Sequence, residues 1–199
     1  PKDWDIAEQL LMDAVSDAGF EYQVSEAEAA FYGPKIEMHL KDALNRSWQL
    51  GTIQLDQAMP KRFNLRYINS EGNEQEPTMI HRALLGSLER FIGIYLEYTA
   101  GKLPFWLSPT QISIIPITDK HIDYCYEVQS DYKSLLMNAV VDDSSERMGA
   151  KIRNAQMNKI PFMFVVGDQE MDSGTVAVRT RNGEDFGQID RTEILNKLK

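Results

Sequence analysis

Cysteine is almost missing: the 199 residues hold only Cys125, which rules out an internal disulfide and fits a reducing compartment. Long apolar runs are missing too, and the stretch Phe162 to Val166 is far too short for a bilayer that needs about 20 residues. No basic-then-apolar leader opens the chain, so nothing argues for secretion, and the cytoplasm is the expected setting. Positive charge is scarce, with 21 Lys and Arg against 30 Asp and Glu and a net charge of -9. A uniformly acidic surface repels a phosphate backbone, so any RNA contact has to come from local basic clusters. No phosphate-loop glycine motif, serine–histidine–acid arrangement or haem motif is present. Pro1 is not preceded by an initiator methionine, which leads to the expectation of a processed or excised piece.

What is there is ordinary for a globular protein, with 43% hydrophobic and 26% charged residues. The length suits one large domain or two small ones. Ile6, Leu10, Leu11, Ala14 and Val15 recur at helical spacing and predict a helix over Trp4–Ala18, with Asp3 or Asp5 at its start and Gly19 at its end. Lys35–Leu40, Ser47–Asp56 and Arg62–Asn69 alternate or are β-rich, and turn residues separate them, which predicts an antiparallel sheet. Pro77 leads an extended run into a helix ending near Gly101. The stretch Gly101 to Pro109 reads as a connector, so domains are expected over 1–104 and 105–199.

Beyond the connector, strands and helices alternate. Strands are expected at Ile112–Thr118, Val140–Val141, Phe162–Gly167 and Thr175–Arg181. Helices are expected at His121–Asn138, Glu146–Lys159 and Arg191–Leu198. This pattern implies an α/β domain with a mainly parallel sheet covered on both faces.

Three segments carry chemistry in the first half: Gly33 to Lys35 (GPK), Trp48 to Asp56 (WQLGTIQLD) and Met79 to Gly93 (MIHRALLGSLERFIG). A helix starting near Gly86 offers free N–H groups and a positive dipole end, which suits phosphate. Arg90 adds a planar fork of donors, although by itself it would also read as a solvated helix residue. Gln49 and Gln54 lie five apart, so period two sends them to opposite faces unless a bulge at Gly51 intervenes. In order and spacing these segments resemble the catalytic domain of the threonyl-tRNA synthetase family, class II aminoacyl-tRNA synthetases built on an antiparallel sheet with helices.

The resemblance implies ATP-dependent attachment of threonine to its tRNA, with ATP, magnesium and zinc as cofactors and no role for DNA or membrane. It implies that Arg90, the third class II motif, contacts ATP phosphates with Ser87 beside it. By the same resemblance Lys35 is expected to face the active site, Gln49 to lie at the nucleotide end and Gln54 near the threonyl group. His81 is one zinc ligand, and the other ligands, like the second class II motif, belong to upstream segments. The chain alone is therefore expected to hold no complete zinc site and to be inactive. A homodimer is expected of the intact enzyme. Gln57 departs from the family, where phenylalanine is common.

In the second half, Met148, Ile152 and Ala155 make a helical stripe, with Arg147 and Lys151 on one flank and Arg153 on the other. Gly167 to Gly174 reads as a turn-rich loop, and Arg179 and Arg181 share a strand face. This resembles the anticodon-binding domain of the synthetases for threonine, proline, glycine and histidine. The resemblance implies base contacts from Arg153, Glu170 and Arg179, with Ser145 standing where the family usually has asparagine. Arginines and a carboxylate suit unpaired bases. His121 and Cys125, spaced i, i+4, are too few for a metal site, and a core-facing cysteine is expected. A second reading, a non-catalytic synthetase-derived RNA-binding or partner-binding module, has less support because Gln49, Gln54, His81 and Arg90 are retained.

Overall fold

The computed structural model describes residues 2–191 and 193–196. The chain forms two compact units, Pro1–Tyr98 and Thr99–Lys199.

The first unit opens with α1 (Lys2–Asp17), with Asp3 and Asp5 in the first turn, where negative charge meets the positive helix end. Gly19 follows at φ 76°, the left-handed conformation that ends helices. The inward face is Ala7, Leu11 and Val15, whereas Ile6 and Leu10 of the expected stripe stand exposed. Strands β1 (Lys35–Lys41), β2 (Ser47–Asp56) and β5 (Met79–Ala83) form an antiparallel sheet in the order β1-β2-β5. The expected strand Arg62–Asn69 is largely absent. Asp56 Oδ1 accepts the N–H groups of Ala58 and Met59, and Pro60 sits in the first turn, so the chain winds into the short α2 (Met59–Arg62). The rest reduces to the small hairpin β3 (Tyr67–Ile68) and β4 (Glu74–Gln75). Helix α3 (Leu88–Thr99) follows β5.

The β1–β2 ladder holds the main irregularity. From Glu37 to His39 β1 advances two residues while its partner positions on β2 run from Thr52 to Gln49. The extra β2 residue is a bulge at Leu50–Gly51. Gly51 is required there, because a Cβ would stand 2.6 Å from Met38 Cε and 2.9 Å from the Leu84 carbonyl oxygen.

The second unit is a five-stranded mixed sheet in the order β10-β9-β8-β6-β7. Strands β6 (Ile112–Pro116), β7 (Ala139–Val141) and β8 (Phe162–Val166) are parallel, as expected from their helical crossovers. Strands β9 (Thr175–Thr180) and β10 (Asp185–Asp190) add an antiparallel hairpin. β10 was not anticipated: its apolar alternation is brief, and a bulge interrupts it before Gly187, at φ 68°. α6 (Asp168–Ser173) replaces the expected loop, its start held by Glu170 reaching back to the Gly167 N–H at 2.9 Å. The closing helix expected over Arg191–Leu198 takes the form of a 3-10 turn at Glu193–Asn196, and its last residues lie outside the described ones.

Alternation on β6 divides the core. Ile112 and Ile114 join Val128 and Tyr132 of α4 (Ile122–Ser134) and Phe164 on one face. Ile115 joins Met163 and Ala155 of α5 (Met148–Met157) on the other. Cys125 lies in the first cluster, fully buried, and burial pushes its thiol up to about 12. It is an inert core residue.

Phe164 is fully buried and its ring lies 5.3 Å from that of Tyr132. Phe164→Ala is expected to destabilise the second unit by about 3–5 kcal/mol. Leu136→Ala, at a side chain 96% exposed, is expected to change stability by no more than about 0.5 kcal/mol. Urea titrations of both variants check the contrast.

Candidate functional sites

Cross-strand register assembles the site of the first unit. Lys35 pairs with Gln54, which pairs with His81, a row across β1, β2 and β5. Paired residues project to one face, so these three side chains share it. The bulge brings Gln49 to the same face, opposite His39, instead of the opposite face that simple period two gives.

Around Gln54 lies a cavity of about 380 Å³ lined by Phe31, Tyr32, Gln54, Asp56, Met59, Arg62 and His81, among others. The Tyr32 hydroxyl donates to Gln54 Oε1 at 2.8 Å, which leaves the Gln54 amide N–H groups for another partner. Tyr32 and Asp56 were missed in the sequence, where only their positions beside the GPK and QLD runs pointed to them. Gly33 lets the Tyr32 segment lie against β2, since a Cβ there would be 1.9 Å from the Leu55 carbonyl oxygen. Gln57 does not line the cavity, and its amide donates to the Asp3 carbonyl at 3.1 Å.

His81 Nε2 meets Asp56 Oδ2 at 2.7 Å, so the carboxylate orients the ring and directs Nδ1 elsewhere. Burial works to raise the Asp56 carboxyl, but bonds from the Met59 N–H, His81 and the Ala58 N–H outweigh it and hold it below the usual range. No group of three or more His, Cys, Asp or Glu able to hold a metal occurs among the described residues. One imidazole with its carboxylate partner does not make a zinc site.

A second cluster surrounds Glu37, another residue missed in the sequence. It pairs with Lys35 and accepts from the Gln49 amide at 2.9 Å, while His39 Nε2 lies 3.2 Å from its other oxygen. The Lys35 bond lowers the Glu37 carboxyl against the opposing effect of burial, with His39 adding to the lowering. Arg90 stands at the start of α3 with Nη1 donating to the Gln49 carbonyl at 2.9 Å and its guanidinium 5.7 Å from the Trp48 ring centre. Trp48 is itself fixed by donating Nε1–H to the buried Asp42 at 2.8 Å. Ser87 Oγ bonds Glu89 at 2.7 Å and lies 3.4 Å from the Arg90 backbone nitrogen. Gly86, at φ 65°, lies so close to the bulge that a Cβ would be 2.4 Å from the Leu50 carbonyl oxygen. Arg90, Ser87, Lys35 and Gln49 do not line the cavity around Gln54.

In the second unit, Ser145 and Arg153 are exposed, and Arg153 has no hydrogen-bond or ion-pair partner among the described residues. Arg179 is exposed and pairs with Asp185 at 2.8 Å, beside a hollow of about 190 Å³ that Ile152, Gln156 and Met163 help to line. Glu170 is buried, its two oxygens accepting from the Gly167 N–H at 2.9 Å and the Gln188 amide at 2.6 Å. Three assignments change, one apolar and two cationic. Met148 of the expected stripe is 38% exposed, whereas Lys151, expected on its flank, is buried and donates to the Asp142 carbonyl at 2.8 Å. Arg181 follows β9 and bonds the carbonyls of Leu103 and Lys102 in the connector and of Lys159 after α5.

Residues 4–99 match the family described as tRNA synthetase class II core domain (G, H, P, S and T), and residues 111–199 the family described as anticodon binding domain. The threonine–tRNA ligase of Finegoldia magna is 48% identical over 197 residues, covering 99% of this chain and 31% of that protein. That of Clostridium botulinum strain Langeland is 46% identical over 198 residues, covering 100% of this chain and 31% of that protein. A solved structure of the RNA binding domain of threonyl-tRNA synthetase from Cryptosporidium parvum matches with a TM-score of 0.92 at 37% identity. It covers 99% of this chain and 50% of that one. The chain spans just under a third, 31%, of the length of the curated relatives it matches.

Asp42 and Asp56 both have folded values below the usual carboxylate range, where backbone and side-chain bonds outweigh burial. Each contributes stability that is fully present above about pH 4 and is lost as pH falls through the lowered folded value. Urea resistance of the first unit is expected to fall between about pH 4 and pH 2, and Asp42→Asn to flatten that fall from a lower starting level. Fluorescence in a Trp106→Phe background, which leaves Trp4 and Trp48, reports the first unit. Parallel acid profiles for the parent and Asp42→Asn would contradict the assignment.

Proposed function

From the matches of residues 4–99 to the class II tRNA synthetase core family and of residues 111–199 to the anticodon binding domain family, we propose that the chain is the carboxy-terminal part of a threonine–tRNA ligase. The parent reaction couples ATP to the attachment of threonine to its tRNA. The observation that carries the reading is the one-face assembly of Lys35, Gln49, Gln54 and His81, with Arg90 bonded to the carbonyl of Gln49.

Each residue has a part in keeping with its chemistry. Arg90 offers its unshared donors to ATP phosphates, with Ser87 beside it at the helix start. Lys35 and Gln49, tied together through Glu37, stand toward the nucleotide. Gln54, its amide oxygen occupied by Tyr32, offers N–H donors to the threonyl group. His81 would supply one imidazole to zinc in the intact enzyme. Magnesium accompanies ATP in the parent, which we take to be a cytoplasmic homodimer.

The second unit reads the anticodon of the threonine tRNA with Ser145, Arg153, Glu170 and Arg179. Unpaired bases present both π-faces and hydrogen-bonding edges, which guanidinium and carboxylate groups meet. An acidic chain is not a general RNA binder, so local cations have to carry the contact. Among them Arg153 is exposed with no partner among the described residues and Arg179 is exposed in its pair with Asp185, whereas Lys151 and Arg181 are engaged with backbone carbonyls.

Arg153→Ala and Arg179→Ala are each expected to weaken binding of the threonine tRNA on the order of tenfold, the loss of a charge-assisted bond. Lys159→Ala, at an exposed side chain, is expected to change binding much less. Equal losses in all three, measured by filter binding at fixed salt, point to non-specific electrostatics instead. The isolated chain is expected to give no threonine-dependent ATP–pyrophosphate exchange, and measurable exchange would sink that expectation.

A further inference from the structure

The two faces of the second sheet differ along β9 and β10. Val176, Val178, Thr180 and Ile189 are buried on the side of α4. On the other side Thr175 and Ala177 are half-buried, while Arg179, Asp185 and Gln188 are exposed. Met163 of β8 pairs with Arg179, so this second side is the one that carries α5. Its exposed residues, Arg179, Asp185 and Gln188, form a polar shelf.

Gln188 occupies a particular place on that shelf. It pairs with Ala177, two residues from Arg179 on the same strand face, which makes Gln188 and Arg179 diagonal neighbours about 7–8 Å apart. Its amide Nε2 donates to Glu170 Oε1 at 2.6 Å and lies 3.4 Å from Gln169 Oε1. The other Glu170 oxygen accepts the Gly167 N–H at 2.9 Å. Both carboxylate oxygens are thus tethered, one to the helix start and one to the edge strand. Asp168, two residues before Glu170, is tied from elsewhere by Lys120 and by His121 Nε2, the latter at 3.0 Å.

We propose that Gln188 is a positioning residue for RNA recognition, aiming the Glu170 carboxylate onto the shelf that also presents Arg179. The inference rests on the proposed role of Glu170 as a base-reading group. A carboxylate oxygen has two acceptor directions, and each Glu170 oxygen has one taken. The directions that remain are fixed in space, so a base offering an exocyclic amino or ring imino N–H meets acceptors already in position. Such preorganisation removes the ordering cost that a swinging side chain would add on binding. Without Gln188 the carboxylate keeps its tether to Gly167 and loses the one that sets its rotation.

The test measures binding of a synthetic threonine-tRNA anticodon stem-loop to the 199-residue chain. Gln188→Leu is expected to weaken binding on the order of tenfold while the chain keeps a cooperative urea transition. In a Glu170→Gln background, itself weakened, the same change is expected to have little further effect, because the pair acts as a unit. Gln188→Glu keeps the size of the side chain and carries the test if leucine disturbs the strand. Its binding is expected to be poor near pH 7.5 and to recover relative to the parent near about pH 5.5, as one of two facing carboxyls takes up a proton and restores the donor. Binding by Gln188→Leu within twofold of the parent overturns the positioning role and leaves the RNA reading intact, as does an equal loss with and without the Glu170 carboxylate. A parent chain that does not hold the stem-loop, or a Glu170→Gln variant that holds it as well as the parent, overturns the reading of Glu170 and this inference with it.

Discussion

One extra residue in β2, the bulge at Leu50–Gly51, is the constraint on which the first unit depends. A strand alternates its side chains, so Gln49 and Gln54 would point to opposite sides of a regular sheet. The bulge adds a single step between them and brings both to the side of Lys35 and His81. It also fixes neighbours that carry no functional chemistry. The Gly51 backbone lies where Met38 and Leu84 leave no room for a Cβ, and Gly86 turns left-handed against the Leu50 carbonyl. From that turn the chain enters α3, which places Arg90 against the carbonyl of Gln49. Packing of backbone on backbone thus sets the positions of several polar groups at once.

Asp42 and Asp56 do comparable work at two corners of the same sheet. Asp42 accepts bonds from the Leu44 and Arg46 backbone, the Arg46 side chain and Trp48. Trp48 then lies under both Arg46 and Arg90. Asp56 starts α2 and orients His81. A carboxylate buried among donors is stable only while those donors are kept, so each aspartate locks its turn to a neighbouring strand. Each is structural: Asp56 bonds His81 of the proposed site directly, and Asp42 holds the Trp48 ring that Arg90 lies over.

The second unit sorts its scarce cations by geometry. Lys151 and Arg181 look like surface residues in a charged sequence, yet one bonds the Asp142 carbonyl from a buried position and the other clips two connector carbonyls to the Lys159 carbonyl after α5. Arg153 and Arg179 remain at the surface. In a chain of net charge -9, local placement rather than total charge decides where an anion can approach. The β9–β10 hairpin supplies the place by extending the sheet beyond α5.

Periodicity by itself located most of the elements: α1, the strands β1 and β2, the extended run that holds β5, α3, and the crossovers that make β6, β7 and β8 parallel. These signals are local, since side-chain spacing follows backbone repeat. The motif runs likewise located Lys35, Gln49, Gln54, His81 and Arg90 along the chain. Tertiary structure alone decided which of them share a face, because a bulge depends on what packs against Gly51. It decided that Arg62–Asn69 does not form a long strand, because the caps on α2 come from Asp56, a residue outside that run. It decided that Glu170 is tethered twice and that Lys151 is buried, since both depend on partners brought together by folding. The identity of each residue was local information; its direction, exposure and partner were not.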